Sequence, residues 1–95
     1  MGYQVVWSYK AIDDVDAIAS YIARDSVPYA AAVVQKIINL TRSLAKDPLA
    51  REVVEEFGEE NLRQEFAYSY RVIYVVKDDV VTIAAVVHGK KLLEL

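Results

Sequence analysis

A chain of 95 residues, 55% of them apolar, reads as one domain spanning 1–95 with a core of its own. Its net charge of −3 excludes a generic polyanion binder, and one histidine with no cysteine excludes disulfides, thiolate chemistry and a protein-built zinc site. No apolar run approaches the roughly 20 residues of a membrane span, and "MGYQVVWS" lacks the features of a signal peptide, so a cytoplasmic location is expected.

"YQVVW" is rich in β-branched and aromatic residues and predicts a short strand. Ser8 then offers an N-cap for a helix from about Tyr9 to Arg24, and Asp13, Asp14 and Asp16 crowd its early turns, where the helix dipole favours anions. Ala11, Val15, Ile18 and Ile22 recur at helical spacing, with Ile12 and Ala19 widening the stripe. After "RDSVP", Pro28 near a first turn opens a second helix. One face of it carries Ala30, Val34, Ile37, Thr41 and Leu44, with Val33, Ile38 and Leu40 beside them. Pro48 pushes Asp47 out of the helical region and ends this helix before "KDP". The short connection predicts an antiparallel helix hairpin.

"LAREVVEEFGEEN" is irregular and acidic, with a short extended piece at Val53 and Val54. Its paired glutamates, Glu55/Glu56 and Glu59/Glu60, read as a solvated acidic loop rather than a metal or acid/base site. Three strands follow: Leu62 to Tyr68, Tyr70 to Lys77 and, after the turn "KDDV", Val80 to Val87. In the second, Tyr70, Val72, Tyr74 and Val76 share one face, and Arg71, Ile73 and Val75 the other; Tyr68, Tyr70 and Tyr74 are expected to keep wet hydroxyls. Both faces of the third are apolar, as in a central strand. The order predicts an α+β fold: an N-terminal strand, an antiparallel helix hairpin, then a three-stranded antiparallel meander. The first strand has the option of pairing with the last.

No glycine-rich phosphate loop, nucleophile elbow or metal-binding helix motif is present, so no cofactor and no metal is expected. Charge is unevenly spread: residues 1–62 hold six basic against ten acidic side chains, residues 63–95 five against four. The polar groups at strand ends are Arg63, Glu65, Tyr68, Arg71, His88, Lys90 and Lys91. Arg71 stands in an apolar segment with no acidic neighbour in sequence; it either snorkels to water at a strand end or is aimed at a ligand. With a turn at Asp78–Asp79, residue 71 falls opposite about residue 86, which brings His88 near the start of the preceding strand. An arginine, a histidine and two lysines around one sheet edge have the chemistry to grip phosphate and to move protons in RNA cleavage.

The segments "WSYKAIDDVDAIASYIARDSVPYAAAVVQKI", "LAKDP", "NLRQEFAYSYRVIYVV" and "VVHGKK" resemble the ParE/RelE superfamily, the plasmid-stabilisation-like toxins of bacterial type II toxin–antitoxin modules. The resemblance runs from about Val5 to Lys91, and "YRVIY" followed by a strand ending in "HGKK" is its most specific part. It implies the same strand, helix-pair and meander order. It also implies a cognate antitoxin whose tail wraps the toxin in a hetero-oligomer, which suits an apolar fraction above the usual ~45–50%. RelE-like members are metal-independent, ribosome-dependent mRNA endoribonucleases, and ParE-like members poison DNA gyrase. The RelE comparison implies Arg71 as a phosphate-holding arginine, Lys91 as a basic residue after the last strand, Arg63 near a lysine, and His88 as a general acid or base. Glu65 stands where a second lysine is expected, and no tyrosine follows "HGKK". Those departures favour the gyrase-directed reading over the endoribonuclease, with a decayed antitoxin-binding module as a third reading.

Overall fold

The computed structural model describes residues 2–90, which form a five-stranded mixed sheet with a helix hairpin on one face. In chain order the elements are β1 (Gln4–Trp7), α1 (Tyr9–Ala23), α2 (Val27–Ser43), a 3-10 turn (Pro48–Ala50), β2 (Glu52–Val53), β3 (Leu62–Ala67), β4 (Tyr70–Lys77) and β5 (Val80–His88). The sheet order is β1-β5-β4-β3-β2. The meander is as expected, β1 runs parallel to β5, and the extended piece lies at Glu52–Val53, pairing antiparallel with β3. No described helix is long and apolar enough to cross a membrane.

Both helices start on serine caps. Ser8 Oγ accepts from Ala11 N at 3.0 Å, and Ser26 Oγ from Tyr29 N at 3.1 Å, each satisfying one of the orphan donors of a first turn. Pro28 sits in the first turn of α2, where a missing N–H costs little. Along α2 the buried positions are Ala30, Val33, Ile37, Thr41 and Leu44, so Val33 and not Val34 faces the sheet. On α1, Ala11 and Ile22 are buried, whereas Ile12 is half exposed because it lies one position, about 100°, round the helix from the seam.

The face alternation in β4 divides the core. Val72, Tyr74 and Val76, with Tyr70 beside them, pack under the helices with Val33, Ile37, Leu44 and Ile83. Ile73 joins Val54 and Val87 on the opposite face, with Leu62 of β3 packed beside them and Phe57 partly roofing them. Burying side chains of this size contributes about 1.5–3 kcal/mol each. The roof is the 51–61 segment folding back over the sheet, and Gly58 at φ +66° makes its turn.

A bulge governs the far end of β5. Lys77 pairs with Val80 and Tyr74 with Ile83, but Ile73 pairs with Ala85, so Ala84 is the extra residue. Arg71 therefore lies opposite Val87, one residue beyond the place that uninterrupted counting gives, and His88 pairs with Tyr70. The bulge is tied to α1: Ser8 Oγ donates to Ala84 O at 3.1 Å, and Asp14 Oδ2 accepts from Val86 N at 2.9 Å. β1 ends its pairing at Ile83, so this carboxylate does for Val86 what a neighbouring strand does elsewhere.

Tyr74 is fully buried, and its hydroxyl is not wet: it donates to Pro48 O at 2.6 Å, linking β4 to the turn after α2. Burial holds its phenol well above the usual value of about 10, with Arg51 opposing the shift. The folded state thus keeps the proton to higher pH than the unfolded chain. The resulting stability is present below pH ~10 and falls as pH rises from there towards the folded value. In urea melts, Tyr74→Phe should cost about 1–3 kcal/mol at pH 8, through the donor lost to Pro48 O. The variant should also lose less stability than wild type between pH ~9.5 and ~11. An equal pH slope in the two proteins would refute the assignment.

Candidate functional site

Arg71 projects from the face of β4 that the helices do not cover. It is 5% exposed, so it does not snorkel. The buried guanidinium is met by its own chain: Nη1 donates to Glu56 Oε1 at 3.1 Å and to Gln64 Oε1 at 2.8 Å, and Nη2 to Glu56 Oε2 at 2.6 Å. A two-pronged guanidinium–carboxylate bond is the strong form of this interaction and matches the geometry with which arginine grips phosphate. Here the carboxylate belongs to the acidic loop, fifteen residues upstream. Glu56 is thus a structural anion rather than a solvated one, its side chain only 18% exposed. Gln64 is brought in by register: it pairs with Ile73 on β3–β4, beside Arg71 on the same face, and its Nε2 donates to Glu52 at 3.3 Å.

The other candidate residues go elsewhere. Arg63 pairs with Tyr74, three residue pairs along the hairpin from Arg71. Its Nη1 donates to Leu49 O at 3.2 Å and Arg51 O at 2.9 Å, and its Nε to Glu60 O. Those bonds pin the ends of the 51–61 segment. Glu65 lies on the helix side, in an ion pair with Arg51 at 2.9 Å, beside a polar groove reached by Lys36 and Ser43 of α2. His88 is exposed and also on the helix side, its ring edge-on to Tyr70 at 5.7 Å, with Nδ1 accepting from Lys90 N at 3.2 Å. Lys90 is exposed, and Lys91 lies outside the described residues.

Arg71 and His88 are near in sequence register but on opposite faces of the sheet. Adjacent strand positions point to opposite sides, so pairing 71 with 87 and 70 with 88 separates them. Arg63 is committed to backbone carbonyls. The arrangement can hold a loop closed over the sheet; as described, it does not gather a phosphate grip and a proton donor into one concavity. Glu56 and Gln64 were the participants that sequence inspection missed. Gln64 carries a signal, since it is a polar residue between Leu62 and Phe66 on one strand face. Glu56 carries none, because a loop carboxylate reveals its partner only in three dimensions.

Removing one member of a largely buried pair leaves the other charge poorly compensated. Glu56→Ala should destabilise the fold by about 3 kcal/mol or more in urea unfolding, and Glu56→Ala with Arg71→Met together by clearly less than the sum of the two. Additive losses would show that the pair is not coupled.

Comparison with known proteins places the fold. A comparison with curated proteins finds no match. Among solved structures, a chain of the chromosomal ParDE toxin–antitoxin system from P. aeruginosa superposes with a TM-score of 0.76 at 19% identity, covering 93% of this chain and 97% of that one. A chain of the RelBE2 toxin–antitoxin complex from Mycobacterium tuberculosis superposes with a TM-score of 0.61 at 23% identity, covering 93% and 99%. At these identities the two structures establish the α+β fold. The family model described as the ParE toxin of the parDE type II toxin–antitoxin system matches residues 5–93. The chain therefore belongs to the ParE toxin family of type II toxin–antitoxin systems.

Proposed function

We propose that this chain is a cytoplasmic growth inhibitor that acts on DNA gyrase and is held silent by a cognate antitoxin in a hetero-oligomer. The observation that carries the reading is the commitment of Arg71 to Glu56 and Gln64, with His88 on the other face of the sheet. A ribonuclease that works without a metal needs basic and proton-transferring groups converging on one phosphate. In this chain a carboxylate already fills the fork of the arginine, and Glu65, where a second basic residue would be needed, is paired with Arg51 on the other face of the sheet. The net charge of −3 also opposes approach to ribosomal or messenger RNA. Inhibition of a protein target requires a surface, not a nuclease site.

The antitoxin part of the proposal is supported by the apolar surface left between the helices. Ala23, Val27, Ala30, Ala31 and Val34 line an open groove there, the kind that receives an apolar helix face or extended tail. The two structural relatives are named as a toxin–antitoxin system and a toxin–antitoxin complex.

The test is a supercoiling assay with purified gyrase, relaxed plasmid and this protein, run with and without the protein encoded by the adjacent reading frame. The expected outcome is loss of supercoiling or a trapped cleavage complex, relieved by that neighbour. Unimpaired gyrase with new mRNA 5′ ends after induction would establish the endoribonuclease instead. Normal growth under full expression would establish a decayed module.

A further inference from the structure

β1 leaves the side of β5 at Ile83, and α1 crosses above the remaining length of that strand. Between them lies an open cleft of about 360 Å3, lined by Lys10, Asp14, Ile18 and Tyr21 of α1 and by Tyr70 and His88 of the sheet. It is outside the Arg71 cluster and on the opposite face of the sheet. Its base is a carboxylate fixed in place, because Asp14 Oδ2 accepts from Val86 N at 2.9 Å. The same carboxylate receives Lys10 Nζ at 2.9 and 3.1 Å. The walls are aromatic: Tyr70 and His88 meet edge to face at 5.7 Å, and Tyr21 stands 68% exposed at the rim.

We propose that this cleft receives the guanidinium of an arginine side chain presented by a partner protein. Aromatic ring faces carry negative charge density and attract a flat, weakly hydrated cation. The Asp14 carboxylate supplies the counter-charge at the end of the cleft. An anion would meet that carboxylate, and a neutral ring would leave it unused. Lys10 is the internal stand-in for the ligand: its ammonium occupies the carboxylate, but its side chain is 65% exposed. An exposed pair four residues apart on a helix is weak, so an incoming guanidinium displaces it readily. The acidic balance of the whole chain favours a basic partner in the same direction.

The site is tested on the whole chain by NMR titration with N-acetyl-arginine amide, following the rings of Tyr21, Tyr70 and His88. The isosteric neutral N-acetyl-citrulline amide and inorganic phosphate serve as comparison probes. The arginine probe alone should give saturable shifts at those three rings. Lys10→Met should tighten binding about twofold by removing the internal competitor. Tyr21→Ala should weaken it about threefold. Asp14→Asn keeps an acceptor for Val86 N but not the charge, and should weaken binding about tenfold. Tyr21 and Lys10 are exposed, so their variants keep the fold, which unchanged shifts at Val33 and Ile37 will verify. Equal binding of the citrulline probe, stronger shifts with phosphate, or looser binding by Lys10→Met would each overturn the proposal.

Discussion

A guanidinium buried near the start of an apolar strand must be neutralised or moved to water, and this constraint shapes the uncovered face of the sheet. Arg71 stays in, so a carboxylate has to come to it. Glu56 arrives on the 51–61 segment, which must then cross the sheet and be held there. Val54 and Phe57 pack against Ile73 and Val87 as it does so, and Arg63 secures its ends through the carbonyls of Leu49, Arg51 and Glu60. The two arginines that look like a nucleic-acid grip in the linear sequence are therefore the two fasteners of one loop. A buried ion pair is not by itself a large source of stability, because desolvation offsets attraction. Its effect is specificity: a segment rich in like charge is directed to one place.

On the other face the organising element is the bulge at Ala84. It lengthens β5 by one residue, shifts the register beyond Ile83 and turns that stretch of backbone towards α1. Ser8 and Asp14 meet it there, so the first helix is joined to the last strand by side chains that also belong to its first turns. Asp14 lies beyond the first turn of α1, where no acidic residue stands, so its partners are Val86 N and Lys10 and not the helix dipole that its place in the sequence suggests. The same shift places His88 beside Tyr70 and across the sheet from Arg71. One inserted residue decides which polar groups share a face.

The elements were legible because each has a local cause. Ser8, Pro28 and Pro48 punctuate the helices, and alternation in β4 assigns its two faces correctly. The short piece near Val53 was visible as a β-branched pair, and a pairing of β1 with β5, though not its parallel sense, was open as an option. What could not be read were the facts set by long-range geometry. Nothing in the local sequence announces a bulge at Ala84, and counting back from the turn gives 86 opposite Arg71 where the fold has Val87. The partner of Arg71 lies in a loop whose composition suggests solvent. The hydroxyl of Tyr74 finds a carbonyl 26 residues away, at Pro48. Ile12 matches the apolar stripe in type and falls outside it in angle.

The claim on which the account stands is that the Arg71 guanidinium is committed to its own chain and does not serve as an anion grip. It is read most directly from the Arg71 side-chain N–H resonances, observed in 13C,15N-labelled protein while inorganic phosphate and then a short single-stranded RNA are added. The account predicts slowly exchanging, resolved Nη protons whose shifts stay constant throughout both titrations. Saturable movement of those resonances with either anion, together with release of the Glu56 carboxylate signal, would contradict it.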